Sequence, residues 1–182
     1  MHCVKTVNVE YKYGYTRIFL LASITFFVVF CLSYVLTSYE YPLPHKSDYL
    51  PLFIAVLFII YPIHKFIHIL PLVSHRRNMQ FSIRIKFMFI PVLHVSLLSL
   101  VNKKLYTIAL ALPTITLNIL FLLGAFIFRE YAHYFCLLLA YHSSMCVNDI
   151  LFLINIFNSP KGSLIEETDK GYEILVPTGK HS

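Results

Sequence analysis

The sequence predicts a mainly α, integral membrane fold: four transmembrane helices, with a short cytoplasmic β-hairpin between helices two and three. Three observations carry this. The 182-residue chain is 58% hydrophobic and only 13% charged, with a mean hydropathy of +0.69, well above that of a water-soluble domain of this size. Its long apolar stretches can each cross about 30 Å of hydrocarbon as a helix, which takes about 20 residues. Between the second and third stretches the pattern changes to strict alternation with cations interspersed, which is the period of a strand.

The first seventeen residues form a polar, tyrosine-rich arm in which Val7, Val9 and Tyr11 alternate with Asn8, Glu10 and Lys12, as in a short strand or an interfacial arm. Residues 18–36 carry no charge and make the first span. No cleavable signal peptide is expected, because this run is long enough to span and follows a polar arm. Pro42, Pro44, Glu40, Lys46 and Asp48 mark an exposed loop before the second span, residues 50–73. In the next segment Phe81, Ile83, Ile85, Phe87 and Phe89 alternate with Ser82, Arg84, Lys86 and Met88, and alternation resumes after Pro91 over residues 93–97, giving two paired strands. The third span covers residues 105–128, with Pro113 and Asn118 as its irregularities, and a tight turn at Arg129-Glu130 leads into the fourth, residues 131–157. The fourth is interrupted by His142-Ser143-Ser144 and by Asp149. Residues 158–182 form a charged tail with strand character at Tyr172-Glu173-Ile174-Leu175-Val176, and the whole chain reads as a single membrane domain.

The net charge of +6 is a topology signal rather than a sign of nucleic-acid binding, which is not expected. Three Lys/Arg precede the first span and six lie between the second and third, against one in each other loop. The positive-inside rule then places both termini and the hairpin in the cytoplasm, with the protein in the plasma membrane. Cys3, Cys31, Cys136 and Cys146 lack C-x-x-C spacing, and three of them fall in or beside apolar runs, so no secreted disulfide framework is expected.

The chemistry concentrates in residues 59–70, where His64, Lys65 and His68 interrupt an apolar run. Imidazoles at i and i+4 share one helical face about 6 Å apart and can reach one metal ion. In the His-Glu-x-x-His motif of zincins, a glutamate beside the first ligand takes a proton from the attacking water, and here that position is Lys65. At 1.5 Å per residue, His64 and His68 lie roughly 13 and 7 Å below the cytoplasmic surface, and Asp149 lies at roughly 12 Å. Lys65 and Asp149 are the only charges inside the predicted spans, and each costs about 2.5–3.5 kcal/mol at a helix centre. Both should face the bundle interior. Asp149 can join the two imidazoles around zinc or pair directly with Lys65. His142, Cys146 and Asp149 also share a face at i, i+4 and i+7, which leaves a ligand role open to His142 or Cys146, with Cys146 read first as a small packing residue.

The ordered set of His-x-x-x-His in the second span, a two-strand insertion, a proline-containing third span, Cys146-Val147-Asn148-Asp149-Ile150 in the fourth and Gly171-Tyr172-Glu173 in the tail resembles a family of small bacterial membrane zincin peptidases. That family is similar in outline to the site-2-type intramembrane metalloproteases. The resemblance covers roughly residues 17–177. It implies that His64 and His68 are the histidine ligands, that Asp149 is the acidic third ligand, that zinc is the cofactor, and that Lys65 stands where the catalytic glutamate would be. The expected function is a pseudo-peptidase that binds a transmembrane protein or peptide partner within the bilayer. An active intramembrane zinc metallopeptidase with a different base is the alternative. A small transporter or channel subunit is a third, and it would need polar residues along a continuous path rather than at one depth.

Overall fold

The computed structural model describes residues 2–40, 46–73, 79–86, 90–97, 100–168 and 171–176. Strand β1 (His2–Val7) leads through a short helix, α1 (Val9–Tyr13), into the long helix α2 (Tyr15–Glu40). Alternation across residues 7–11 therefore ends in a helix: only residues up to Val7 are extended, and from Val9 the chain coils, with Asn8 Oδ1 accepting the Tyr11 N–H at 3.0 Å as a cap. Along α2, Ser23 and Thr25 donate to the carbonyls of Phe19 and Leu21 one turn back, which keeps their hydroxyls satisfied in an apolar stretch.

Helix α3 (Leu50–Ile69) starts with Pro51 in its first turn and carries Pro62 inside. The predicted hairpin is present as β2 (Met79–Lys86) and β3 (Ile90–Leu97), antiparallel, with Met79 opposite Leu97 and Lys86 opposite Ile90. Phe87, Met88 and Phe89, expected within the alternating run, lie outside the described residues. A two-residue strand, β4 (Val101–Asn102), runs straight into α4 (Lys103–Ile127), whose first turn is capped by Asn102 Oδ1 accepting the Lys104 N–H at 3.0 Å.

The fourth span departs from the expected single helix. After a turn at Arg129–Tyr131, it is divided into α5 (Ala132–Met145) and α6 (Val147–Phe157), bent by 44° at Cys146. The cause is local: the Ser144 hydroxyl donates to the Tyr141 carbonyl at 2.7 Å, and the Cys146 N–H reaches the carbonyls of both His142 and Ser144. Three helices are thus long and apolar enough to cross a membrane, and a fourth if the bent pair counts as one span.

Strands β5 (Leu164–Thr168) and β6 (Gly171–Val176) follow. They join β1 and β4 in an antiparallel sheet of order β1-β6-β5-β4. The tail strand was legible in the sequence; β5, with Glu166 and Glu167 in its second half, was not. The sheet holds the start of α2, the start of α4 and the end of α6 at one end of the bundle. Ile165, Tyr172 and Ile174 pack there with Val101, Tyr106 and Leu151. The Tyr172 phenol donates to the Phe152 carbonyl at 3.3 Å, and burial pushes its pKa up. Two lysines tie the same end together: Lys103 Nζ donates to the carbonyls of Phe157 (3.2 Å) and Ser159 (2.6 Å) at the end of α6, and Lys12 Nζ donates to Asn155 Oδ1 at 2.7 Å.

Among the helices, α3 packs on α4, α4 on α5 and α6, and α2 on α5. Where α4 meets α5, Gly124 lies under the Phe135 ring so closely that a β-carbon would overlap the ring edge. Close approach at a small residue is how helices associate where lipid offers no hydrophobic drive. Gly124→Ala is expected to lower resistance to denaturant-induced unfolding in detergent by about 1–3 kcal/mol. Adding Phe135→Leu should recover much of the loss, as followed by helical circular dichroism.

Candidate metal centre

The five polar side chains that meet in the bundle near the bend, buried or half-buried, come from four helices. His64 and His68 stand on α3, Asn118 on α4, His142 on α5 and Asp149 on the first turn of α6. His64, His142 and Asp149 are 3%, 0% and 7% exposed, whereas His68 is half-buried. The i, i+4 spacing brings the His64 and His68 Nε2 atoms within 2.9 Å of each other. Asp149 Oδ2 lies 3.1 Å from the first and 3.5 Å from the second. The bend at Cys146 brings Asp149 to them, at the head of a new helix.

His68 is oriented through a carbonyl that Pro113 leaves free. Pro113 has no N–H, so the carbonyl of Ala109, four residues earlier in α4, lacks its intrahelical donor. That carbonyl accepts from His68 Nδ1 at 2.8 Å. With the proton on Nδ1, His68 turns a lone pair on Nε2 toward His64 and Asp149.

Asp149 Oδ2 is buried and has no hydrogen-bond partner among the described residues. A carboxylate oxygen facing an imidazole lone pair is unfavourable unless a cation lies between them. Two imidazoles and a carboxylate are the donor set of an open zinc site, and metal–ligand bonds of about 2.0–2.1 Å in a tetrahedron put neighbouring donor atoms about 3.3 Å apart. The observed separations of 2.9, 3.1 and 3.5 Å bracket that value, so these residues fit the ion. The donor atoms of His64, His68 and Asp149 all lie within 4.8 Å of one another.

A second set meets the same distance limit: His64, His142 and Cys146. His64 Nδ1 is 3.0 Å from His142 Nε2, and Cys146 Sγ is 3.6 Å from that same nitrogen. His142 Nδ1 faces Asn118 Oδ1 at 2.7 Å. The shared face of His142, Cys146 and Asp149 is legible in the sequence, whereas Asn118 stands there only as an irregularity of the third span. The signal that could have found it is the cost of any amide or imidazole inside an apolar span. Of the two partnerships open to Asp149 in the sequence, the direct ion pair with Lys65 is not the one formed: Asp149 faces the imidazoles. Lys65, one residue past His64 and so about 100° around the helix, is half-buried off that face. Of the other histidines, the side chains of His75 and His94 lie outside the described residues.

Residues 57–164, more than half of the chain, match the model of the family described as putative zincin peptidase. The chain belongs to that family. No curated protein and no solved structure matches it. The matched region of this zincin peptidase relative runs from α3 to the start of β5 and contains both histidines, the proline that frees the Ala109 carbonyl, and Asp149.

Two outcomes are expected of the purified protein in detergent. Zinc at about 100 times its Kd should stabilise the wild type by about 2.7 kcal/mol, an effect that Asp149→Ala and His64→Ala lose, read as the shift in unfolding midpoint on titration. Pro113→Ala gives the Ala109 carbonyl back its helical donor and should weaken zinc binding by roughly tenfold in chelator competition, through loss of the bond that orients His68.

Proposed function

We propose that this protein is a non-cleaving member of the zincin peptidase family: it holds zinc among His64, His68 and Asp149 within the membrane and uses the site to bind a membrane-embedded protein or peptide segment. The observation that carries this reading is the convergence of His64, His68 and Asp149 beside a lysine where the family's chemistry needs a carboxylate. When bound, zinc would supply Lewis-acid polarisation of a group entering its open position. His64, His68 and Asp149 would fill the other positions, and the half-buried edge of His68 is the most open side of the set.

A general base must hold a free lone pair within hydrogen-bond reach of the proton it takes. A lysine ammonium has three donors and no acceptor. Within residues 15–39, 50–73, 103–127 and 132–157 the sole carboxylate is Asp149, already committed to the imidazoles, so these segments offer no substitute for the missing glutamate. Retention of the ligands without the base favours binding over hydrolysis. The sheet places the N-terminal strand, the tail strands and β4 at one end of the helices, as both termini on one side of a membrane would require. With Lys12 and Lys103 at that end, and with the charge asymmetry of the sequence, the cytoplasmic face of the plasma membrane is the side proposed.

Wild type, Lys65→Glu and Lys65→Ala are to be compared in a reconstituted membrane-protease assay with zinc measured in each sample. Wild type and Lys65→Ala should show no zinc-dependent cleavage. Lys65→Glu is expected to gain roughly a hundredfold or more over wild type, the low end of what a positioned base contributes. Zinc-dependent cleavage by wild type that disappears in His64→Ala would show that the protein is an active peptidase with another base.

A further inference from the structure

His64 belongs to both donor sets, offering Nε2 to His68 and Asp149 and Nδ1 to His142 and Cys146. A neutral imidazole carries one proton, so its tautomer decides which set can take an ion. We propose that Asn118 and His142 are positioning residues that make this choice: Asn118 fixes His142, His142 fixes His64, and His64 Nε2 is thereby aimed at the set without sulfur. The inference rests on the metal-site reading above.

The chain of bonds can be followed atom by atom. Asn118 Oδ1 can only accept, so at 2.7 Å the proton between it and His142 belongs to His142 Nδ1. His142 Nε2 is then a lone pair, and at 3.0 Å it accepts from His64 Nδ1–H. His64 Nε2 is left free, 2.9 Å from His68 Nε2 and 3.1 Å from Asp149 Oδ2. His142 is fully buried, with the Phe121 ring edge-on at 6.0 Å between centroids and Cys146 Sγ 3.6–3.7 Å from its two nitrogens, so the ring is packed in place. The same lone pair on His142 Nε2 would be a ligand for a sulfur-containing site if His64 Nδ1 were not protonated toward it. Asn118 thus keeps the soft thiol of Cys146, 3.6 Å from His142 Nε2, out of a site built for a borderline ion.

The test uses the full chain in detergent, with zinc competition and the absorption spectrum of the cobalt-loaded protein, and helical circular dichroism as the control for folding. Asn118→Leu should weaken zinc binding 10- to 100-fold, whereas Asn118→Asp, which keeps an acceptor for His142 Nδ1–H, should bind within a few-fold of wild type. His142→Leu should weaken binding to the same degree as Asn118→Leu, and the double variant no further, because both break one chain. Cobalt-loaded wild type should lack the near-ultraviolet sulfur-to-cobalt charge-transfer band, and Asn118→Leu should acquire one that Cys146→Ser removes.

Wild-type zinc affinity in both Asn118→Leu and His142→Leu, with binding still lost in His64→Ala and Asp149→Ala, would overturn the positioning role and leave the metal site standing. A charge-transfer band in wild type that Cys146→Ser abolishes would overturn it too, since the sulfur set would then be the occupied one. Zinc binding unaffected by His64→Ala and Asp149→Ala would instead bring down the metal-site reading itself.

Discussion

A buried carboxylate oxygen facing two imidazole nitrogens, in segments that are otherwise apolar, is the interaction on which the rest of this structure depends. In such buried surroundings each polar group must be satisfied by another polar group of the protein. That requirement accounts for the company the site keeps. His68 takes the one carbonyl in α4 that a proline has released, His142 takes Asn118, and His64 takes His142. The polar groups form one connected cluster rather than a scatter of separate defects, and a connected cluster of lone pairs around a carboxylate is suited to a cation.

The two helix irregularities near the site have different origins and one effect. Pro113 leaves α4 continuous and frees a carbonyl inside it. The run His142-Ser143-Ser144 breaks the last span, through a serine hydroxyl that bonds back to the helix and a cysteine N–H shared between two carbonyls. The break allows Asp149 to start a helix whose direction differs by 44° from that of the one before it. A break in an apolar helix is tolerated where its freed backbone groups are satisfied inside the protein, and here the break lines the candidate metal centre.

At the other end of the helices the constraint is mechanical. A sheet whose strands come from the N-terminal arm, from the residues before α4 and from the tail ties together the starts of two helices and the end of a third. Tyr172, buried between Phe152 and Tyr106, connects that sheet to α6. Through α6 the sheet also bears on Asp149, which lies within one turn of Leu151 and Phe152 in the cluster around Tyr172. The positions of α4 and α6 relative to each other, and so of the Ala109 carbonyl relative to Asp149, are set partly outside the apolar segments.

The sequence by itself determined the apolar segments, the hairpin between the second and third of them and the pairing of His64 with His68, because hydropathy and spacing are local and survive without a fold. It also marked Lys65 and Asp149 as the costly charges, by the same reasoning about burial. What only the tertiary structure decided is how these parts meet. Whether Asp149 turns to Lys65 or to the imidazoles depends on a bend made by hydroxyl and amide bonds at Ser144 and Cys146, and the sequence shows the polar residues there but not the angle. The strand pairing of residues 2–7 with 171–176 joins the two ends of the chain, and no local pattern specifies so distant a partner. Asn118 and Pro113 read in the sequence as two flaws in a helix. Their roles emerge only when α4 lies against His68 and His142, since a hydrogen bond is defined by two partners and the sequence supplies them one at a time.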